Sequence, residues 1–268
     1  MKKKLSPADF YWGEYEIPLN KTISWSIGDL NIWCIQEVNE LKIAYQHLCV
    51  KKRKSVLNIP EDINWNRWAL SDKETKIRIT PVMPDRPVVV EPENHFRLVI
   101  GMAAKIYIRV PIWVKLTAIN RKSIDLIEIP SVILSNTWFG SFYEGELCYW
   151  ISSGARRHVE PSLDRPYLAI IPVQLINKSE EEFLVEKLCI RVSNLSLFYS
   201  DNQLWTDEMK LIYKGNHSVS EIQVGGKSPE ESSGGDLISV PRKPLKKAFA
   251  AQSFASLKDL PGLGFFVK

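Results

Sequence analysis

Residues 30–38 read L-N-I-W-C-I-Q-E-V, residues 39–40 are Asn39-Glu40, and residues 41–48 read L-K-I-A-Y-Q-H-L. In the last of these, Leu41, Ile43 and Tyr45 alternate with Lys42, Ala44 and Gln46. Successive side chains of a strand point to opposite faces, so a period of two buries one face and wets the other. Asn39-Glu40 suits a tight hairpin turn between two such strands. A helix over 37–50 competes for the same residues. The density of β-branched and aromatic side chains, with no helix cap ahead of them, favours the strands.

Outward from this hairpin the same signal recurs. Upstream, Ile17, Ile23, Trp25 and Ile27 mark a first strand pair that turns at Asn20-Lys21. Downstream, residues 75–80 hold a K-I-R-I-T strand, followed closely by Pro81, Pro84, Pro87 and Pro92. Proline donates no hydrogen bond to a ladder, so these mark strand ends and corners. Further strands are expected at 88–90, 96–100, 104–110, 113–119, 123–129, 131–134, 146–152, 167–176, 182–192, 195–199, 203–205, 209–213 and 219–224. Short strands separated by turn residues favour antiparallel sandwiches or a barrel over a βαβ sheet. The expected fold is all-β, antiparallel and β-sandwich-like, as two units or one large one, with a flexible C-terminal tail. The expected divisions are an N-terminal antiparallel β region at 1–80, a sandwich-like domain at 81–224, and a linker and tail at 225–268. Residues 86–110 and 165–192 both open on Arg-Pro and close on apolar-apolar-apolar-Arg-Val, either a weak internal repeat or a chance match of common strand patterns. The G-G-K-S-P-E-E-S-S-G-G-D stretch from Gly225 has linker composition. Residues 245–260 are expected as a helix with an imperfect apolar stripe, ended by Pro261-Gly262.

Composition narrows the class. The 268 residues are 45% hydrophobic and 25% charged, with nine Trp, nine Tyr and ten Phe, so there is ample apolar surface to bury and a disordered chain is excluded. With only 13 Gly and 16 Pro, a collagen-like chain is excluded too. From Pro241 onward there are six cations to one acid, a surplus larger than the whole chain's +4. The basic character therefore belongs to the tail, and a broad nucleic-acid-binding field is not supported. Cys34, Cys49, Cys148 and Cys189 form neither a C-x-x-C pair nor a zinc spacing with histidine, and they are too sparse for a disulfide scaffold. The basic start lacks the apolar run of a signal peptide. No stretch approaches the roughly 18–20 apolar residues of a membrane span. These features predict a cytoplasmic protein with reduced thiols and no cofactor.

Candidate chemistry centres on the strand around Cys148. Glu144, Glu146, Cys148 and Trp150 share one parity, while Gly145, Leu147, Tyr149 and Ile151 share the other, which reads as core-facing. Two carboxylates on one strand face, with Arg156, Arg157 and His158 soon after, suggest an acid/base or polar binding site, and paired carboxyls are what glycoside hydrolysis uses. The bland alternative is a solvated face of ion pairs. Cys148 as a nucleophile needs a histidine such as His158 beside it. His47, His95, His158 and His217 are scattered and carry no metal signature. There is no G-x-G-x-x-G, P-loop or G-x-S-x-G element. The run Lys51, Lys52, Arg53, Lys54 suits phosphates of nucleic acid or lipid headgroups, or is simply a solvated loop. Trp65 and Trp68, in a polar N-W-N-R-W context, are the best candidates for exposed stacking platforms. In the tail, Phe249, Phe254, Phe265 and Phe266 among basic residues resemble a docking segment, the alternative being an appendage that packs on its own domain.

Three stretches carry a resemblance. Trp138-Phe139-Gly140 with Gly145-Glu146-Leu147-Cys148-Tyr149 and Arg156-Arg157 is the most distinctive. The second is Pro84-Asp85-Arg86-Pro87-Val88 with Arg109-Val110-Pro111-Ile112-Trp113-Val114, and the third is Leu204-Trp205-Thr206-Asp207-Glu208. Together, over residues 10–225, the chain resembles an archaeal and bacterial family of domains of unknown function. The resemblance implies no activity, cofactor or catalytic residue; it implies a protein partner that is membrane-associated. The leading expectation is a non-enzymatic accessory protein that docks a partner through its tail. The alternatives are a hydrolase using Glu144 and Glu146, and a binder of anionic surfaces.

Overall fold

The computed structural model describes residues 11–47, 59–70, 76–151, 155–159, 165–215, 220–232, 234–243, 248–251 and 253–255. The described residues form strands and two 3-10 turns, at Val192–Asn194 and Glu230–Ser232. In chain order the strands are β1 (Gly13–Glu16), β2 (Thr22–Ile27), β3 (Leu30–Gln36), β4 (Glu40–His47), β5 (Asn66–Ala69), β6 (Lys76–Val82), β7 (Val88–Val90) and β8 (Phe96–Leu98). They continue as β9 (Ala103–Pro111), β10 (Trp113–Ile119), β11 (Ser123–Pro130), β12 (Ser135–Phe139), β13 (Glu146–Ile151), β14 (Leu168–Asn177), β15 (Phe183–Val185) and β16 (Lys187–Ile190). The last are β17 (Leu197–Ser200), β18 (Gln203–Thr206), β19 (Met209–Tyr213), β20 (Ser220–Val224), β21 (Asp236–Ser239), β22 (Ala248–Ala251) and β23 (Phe254–Ala255). The fold is all-β, with antiparallel and mixed sheets that include a curled half-barrel.

The chain divides into two compact units, Met1–Pro81 with Ile112–Val132, and Val82–Pro111 with Ile133–Lys268. The first unit holds two four-stranded sheets, β2-β3-β4-β5 and β1-β6-β10-β11. The hairpin read from residues 30–48 is β3–β4, in register from Leu30↔His47 to Gln36↔Leu41. Glu37 N–H donates to Glu40 O at 2.8 Å, so the turn centres on Val38-Asn39, one residue earlier than expected. The first strand pair is different from the expected one. β1 pairs β6 and β2 pairs β3, so Asn20-Lys21 joins two sheets rather than closing a hairpin. The partner of β2 is set by Gly28, whose φ of 65° gives the tight β2–β3 turn a residue that adopts the left-handed region without strain. In β6, Ile77 and Ile79 turn inward while Lys76 and Arg78 face Glu16 and Glu14 directly across the ladder. Such exposed pairs contribute little, so the buried apolar side chains hold the sheets.

In the second unit an eight-stranded sheet runs β21-β17-β18-β14-β19-β20-β22, with β9 also paired to β14. One edge of β14 is covered along its length by β9, antiparallel from Leu168↔Pro111 to Ile176↔Ala103. Its other edge takes two parallel strands in succession: β18 at Ala169 and Ile170, then β19 from Val173 to Asn177. The second ladder lapses between them, and there lies Pro172, buried in the middle of a central strand. Proline is tolerated because its missing N–H coincides with the gap. Asp207 lies in the chain between β18 and β19. It is fully buried, and its Oδ2 accepts the Ser196 backbone N–H at 2.5 Å. The β17–β18 hairpin turns on Asp201 and Asn202, with φ of 49° and 59°, the geometry of a type I′ turn.

A five-stranded sheet, β12-β13-β7-β16-β23, and the pair β15-β8 complete this unit. The β13–β7 ladder is parallel, as are the two on β14, where only antiparallel pairs were expected. Residues 131–134 form no strand; the strand of that region is β12. The helix expected over 245–260 is, in its described residues, the strands β22 and β23. β22 pairs β20, and β23 pairs β16. Hydrogen bonding to an open sheet edge outweighs an imperfect helical stripe. The two Arg-Pro segments pair reciprocally: the opening strand of the first, β7, pairs β16 of the second, and the opening strand of the second, β14, pairs β9 of the first.

Leu175, fully buried on β14 between β9 and β19, anchors the second unit. Leu175→Ala is expected to cost about 2–5 kcal/mol in urea unfolding. Ile124→Ala, on an exposed position of β11, is expected to change it by less than about 0.5 kcal/mol.

Candidate functional site

A cavity of about 530 Å³ in the second unit is lined by Glu93, Asn94, Phe96, Ile106, Ala155, Arg156, Arg157 and His158. One wall is the turn leading into β8; the other is the segment 155–158. That segment is held by the free edge of β9, since Tyr107 N–H donates to Arg156 O at 2.7 Å and Arg156 N–H donates to Tyr107 O at 3.1 Å. Ile106 of β9 contributes an apolar floor. Arg156 Nε lies 3.3 Å from Glu93 Oε2. The Arg157 guanidinium sits 5.7 Å above the Phe96 ring, and among the described residues no carboxylate pairs with it. Stacking on an aromatic face orients a guanidinium while leaving its N–H edges available. The sequence-predicted Arg156, Arg157 and His158 therefore converge on one pocket. Glu93, Asn94 and Phe96, some sixty residues away, had no local signal.

The strand around Cys148 is arranged differently from expectation. Cys148 is fully buried and Leu147 is 44% exposed, the reverse of the parity read from the sequence. The Cys148 face packs on Val89, Phe139, Cys189 and Trp150. Glu144 lies in the exposed turn before β13, where its backbone N–H donates to Ser141 Oγ, so it does not stand beside Glu146 on a strand face. Glu146 is ion-paired with Arg191. Cys148 has as partners the Glu146 carbonyl at 3.6 Å and the Cys189 thiol at 3.9 Å, not an imidazole. Burial pushes the Cys189 thiol well above its ordinary range, and pushes Cys34 up to about 12. The resembling motifs are structural here. A Cβ on Gly145 would come within 2.3 Å of Trp138 Nε1, so only glycine fits under that indole. Tyr149 donates from its hydroxyl to Asp85 at 2.9 Å and carries the Arg86 guanidinium 5.4 Å from its ring.

The remaining described candidates are not among the residues that line the cavity or pack on Cys148. Trp65 and Trp68 are half-buried rather than exposed. Lys51, Lys52, Arg53 and Lys54 lie outside the described residues, as do Phe265, Phe266 and His217; for Phe249 and Phe254 the backbone strands alone are described. His47 contacts Pro130 O and His95 contacts Glu91, each apart from the pocket. Among the described residues no three or more His, Cys, Asp or Glu side chains gather as for a metal ion, and no helix is long and apolar enough to cross a membrane. The residues missed were Lys187, Cys189 and Arg191, whose shared parity on β16 and beyond was the available signal.

A charged network anchors the stretch with linker composition. Lys105 Nζ lies 2.6 Å from Glu231 and 3.3 Å from Glu208, and Tyr107 donates to Glu231 at 2.7 Å. Burial pushes the Glu231 carboxyl up, but the hydrogen bonds from Lys105 and Tyr107 prevail and hold it below its ordinary 4.5. A lowered folded-state value contributes stability that is present above the unfolded value and lost as pH falls through the folded one. Thermal midpoints measured from pH 7 down to pH 3 should therefore drop below about pH 4.5, and Glu231→Gln should flatten that acid limb while lowering the midpoint at pH 7.

A family model described as a protein of unknown function, DUF432, matches residues 11–258. No curated protein and no solved structure matches the chain. The match runs past the 225 expected from the motifs and takes in β22 and β23, as their pairing within the sheets of the second unit requires. Covering nearly all of the 268 residues, it shows that the chain belongs to the DUF432 family.

Proposed function

We propose that this protein is a non-enzymatic binding module that holds a small anionic molecule, through a phosphate or carboxylate group, in the Arg156–Arg157–His158 pocket. The observation that carries this reading is the Arg157 guanidinium, oriented on Phe96 and without a carboxylate partner among the described residues, at the wall of a cavity of about 530 Å³. That volume suits a metabolite-sized ligand. Arg156, steadied by Glu93, supplies a second fork of donors, and charge-assisted bonds from guanidinium to carboxylate or phosphate are the strong, directional ones. Glu146 is engaged by Arg191 and Cys148 is enclosed among apolar side chains, so the binding reading has more support than the hydrolytic one. The described part of the tail is hydrogen-bonded into the second unit through β22 and β23, so the proposal rests on the pocket rather than on capture of a partner by the tail.

Inorganic phosphate and citrate serve as probes. Millimolar concentrations of at least one should raise the thermal midpoint of the full chain, and the effect should weaken with added sodium chloride. Arg157→Ala should weaken binding at least about tenfold, the worth of a hydrogen bond to a charged group, with little change in the stability of the free protein. Equal responses from wild type and an Arg156→Ala/Arg157→Ala variant would remove the proposal.

A further inference from the structure

We infer that Cys148 and Cys189 form a binding site for a monovalent thiophilic cation, copper(I), held between two thiolates. The two Sγ atoms lie 3.9 Å apart on one face of the five-stranded sheet, both fully buried. A metal–sulfur bond of about 2.3 Å sets two ligating sulfurs about 3.8 Å apart at a tetrahedral angle and about 4.6 Å apart when linear, so the pair already stands at ligand spacing. Soft thiolate ligands suit copper(I), zinc and iron–sulfur clusters, and of these a two-sulfur site with no third ligand among the described residues fits copper(I).

The charges around the pair favour a monovalent ion. Lys187 and Arg191 flank Cys189 along the chain, and both are buried. Arg191 Nη1 lies 2.6 Å from Cys189 Sγ, and its Nη2 is ion-paired with Glu146. The Lys187 ammonium rests 5.1 Å above the Trp150 ring, and among the described residues it has no carboxylate partner. The positive charge of Arg191 and Lys187 beside two buried thiols favours an anionic complex there. Two thiols and a monovalent ion form a complex of charge −1: two S–H bonds break, two S–metal bonds form, and two protons leave to solvent. A divalent ion on two thiolates would be neutral and would not answer those cations. It would also want further ligands, and the described residues offer no group of three or more.

A disulfide fits less well. β7 lies between β13 and β16, so the two cysteines stand on strands that are not neighbours. Disulfides need Cα separations of about 4.4–6.8 Å. Val89 of β7 packs with both cysteines, whose side chains bring the sulfurs to 3.9 Å, well beyond the about 2.05 Å of a disulfide bond.

The test is an anaerobic titration of the reduced full-length chain with copper(I) against bicinchoninate as competing chelator. The expected result is one tight equivalent per chain with ultraviolet thiolate-to-metal absorption, and X-ray absorption showing sulfur neighbours only. Cys148→Ser and Cys189→Ser should each abolish that equivalent, and Cys49→Ser should keep it. Lys187→Met should weaken it about 10–100-fold, as loss of an outer partner does. If the serine variants fail to fold, X-ray absorption on the wild-type chain decides between sulfur and nitrogen or oxygen neighbours. The inference is overturned by no competitive equivalent in the wild type, by its survival in either serine variant, or by peroxide joining Cys148 to Cys189 in the folded chain.

Discussion

The second unit depends on how the backbone of one strand is satisfied. β14 has β9 along one edge, and along the other two shorter parallel strands that meet opposite Pro172. A buried strand must pair its N–H and C=O groups, and a residue without an N–H is admissible only where the ladder already lapses. The lapse is therefore the constraint. Between β18 and β19 in the chain lies Asp207, fully buried, which accepts the Ser196 N–H. Burial pushes the Asp207 carboxyl up while backbone hydrogen bonds, that from Ser196 first, draw it down; burial prevails.

The same economy of backbone pairing places the site. β9 has β14 on one edge and still has groups to satisfy on the other, and Tyr107 satisfies them with the backbone of Arg156. That pair of hydrogen bonds sets Arg156, Arg157 and His158 against the turn that carries Glu93, Asn94 and Phe96. The cavity is thus a product of the sheet edge, with its polar lining supplied by loops, where side chains vary at little cost to the core.

The two clusters differ in what surrounds their charge. In the pocket, Arg157 meets an aromatic face and an open cavity, so it is available to a ligand from solvent. On the five-stranded sheet, Arg191 and Lys187 are buried beside two thiols, the Glu146 carboxylate and the Trp150 indole. The Trp138–Ser141–Gly145 turn above β13 is rigid for steric reasons: the Trp138 indole donates to Ser141 O at 2.9 Å and excludes any side chain at Gly145. It leaves Phe142 and Tyr143 exposed and stacked edge to face at 5.4 Å.

What the sequence by itself determined is where short β-branched and aromatic runs between turn residues make strands: β3 and β4, β7, β10, β18 and β19 stand where those runs put them, because extended propensity is local. The cationic run Arg156–Arg157–His158 was legible for the same local reason. Which parity faces inward was not. Residues 146–151 carry apolar side chains on both faces, and only packing against Val89, Phe139 and Cys189 decided that Cys148 goes in and Leu147 goes out. Nor could local sequence show that residues 248–251 and 254–255 would be strands, since the open edges of β20 and β16 that recruit them lie far away in the chain. Pro172 inside a central strand, Glu93 and Phe96 beside Arg157, and two thiols at 3.9 Å depend on long-range pairing for the same reason. A strand encodes its own pleat, but its neighbours are chosen by whichever distant backbone has hydrogen bonds left to make.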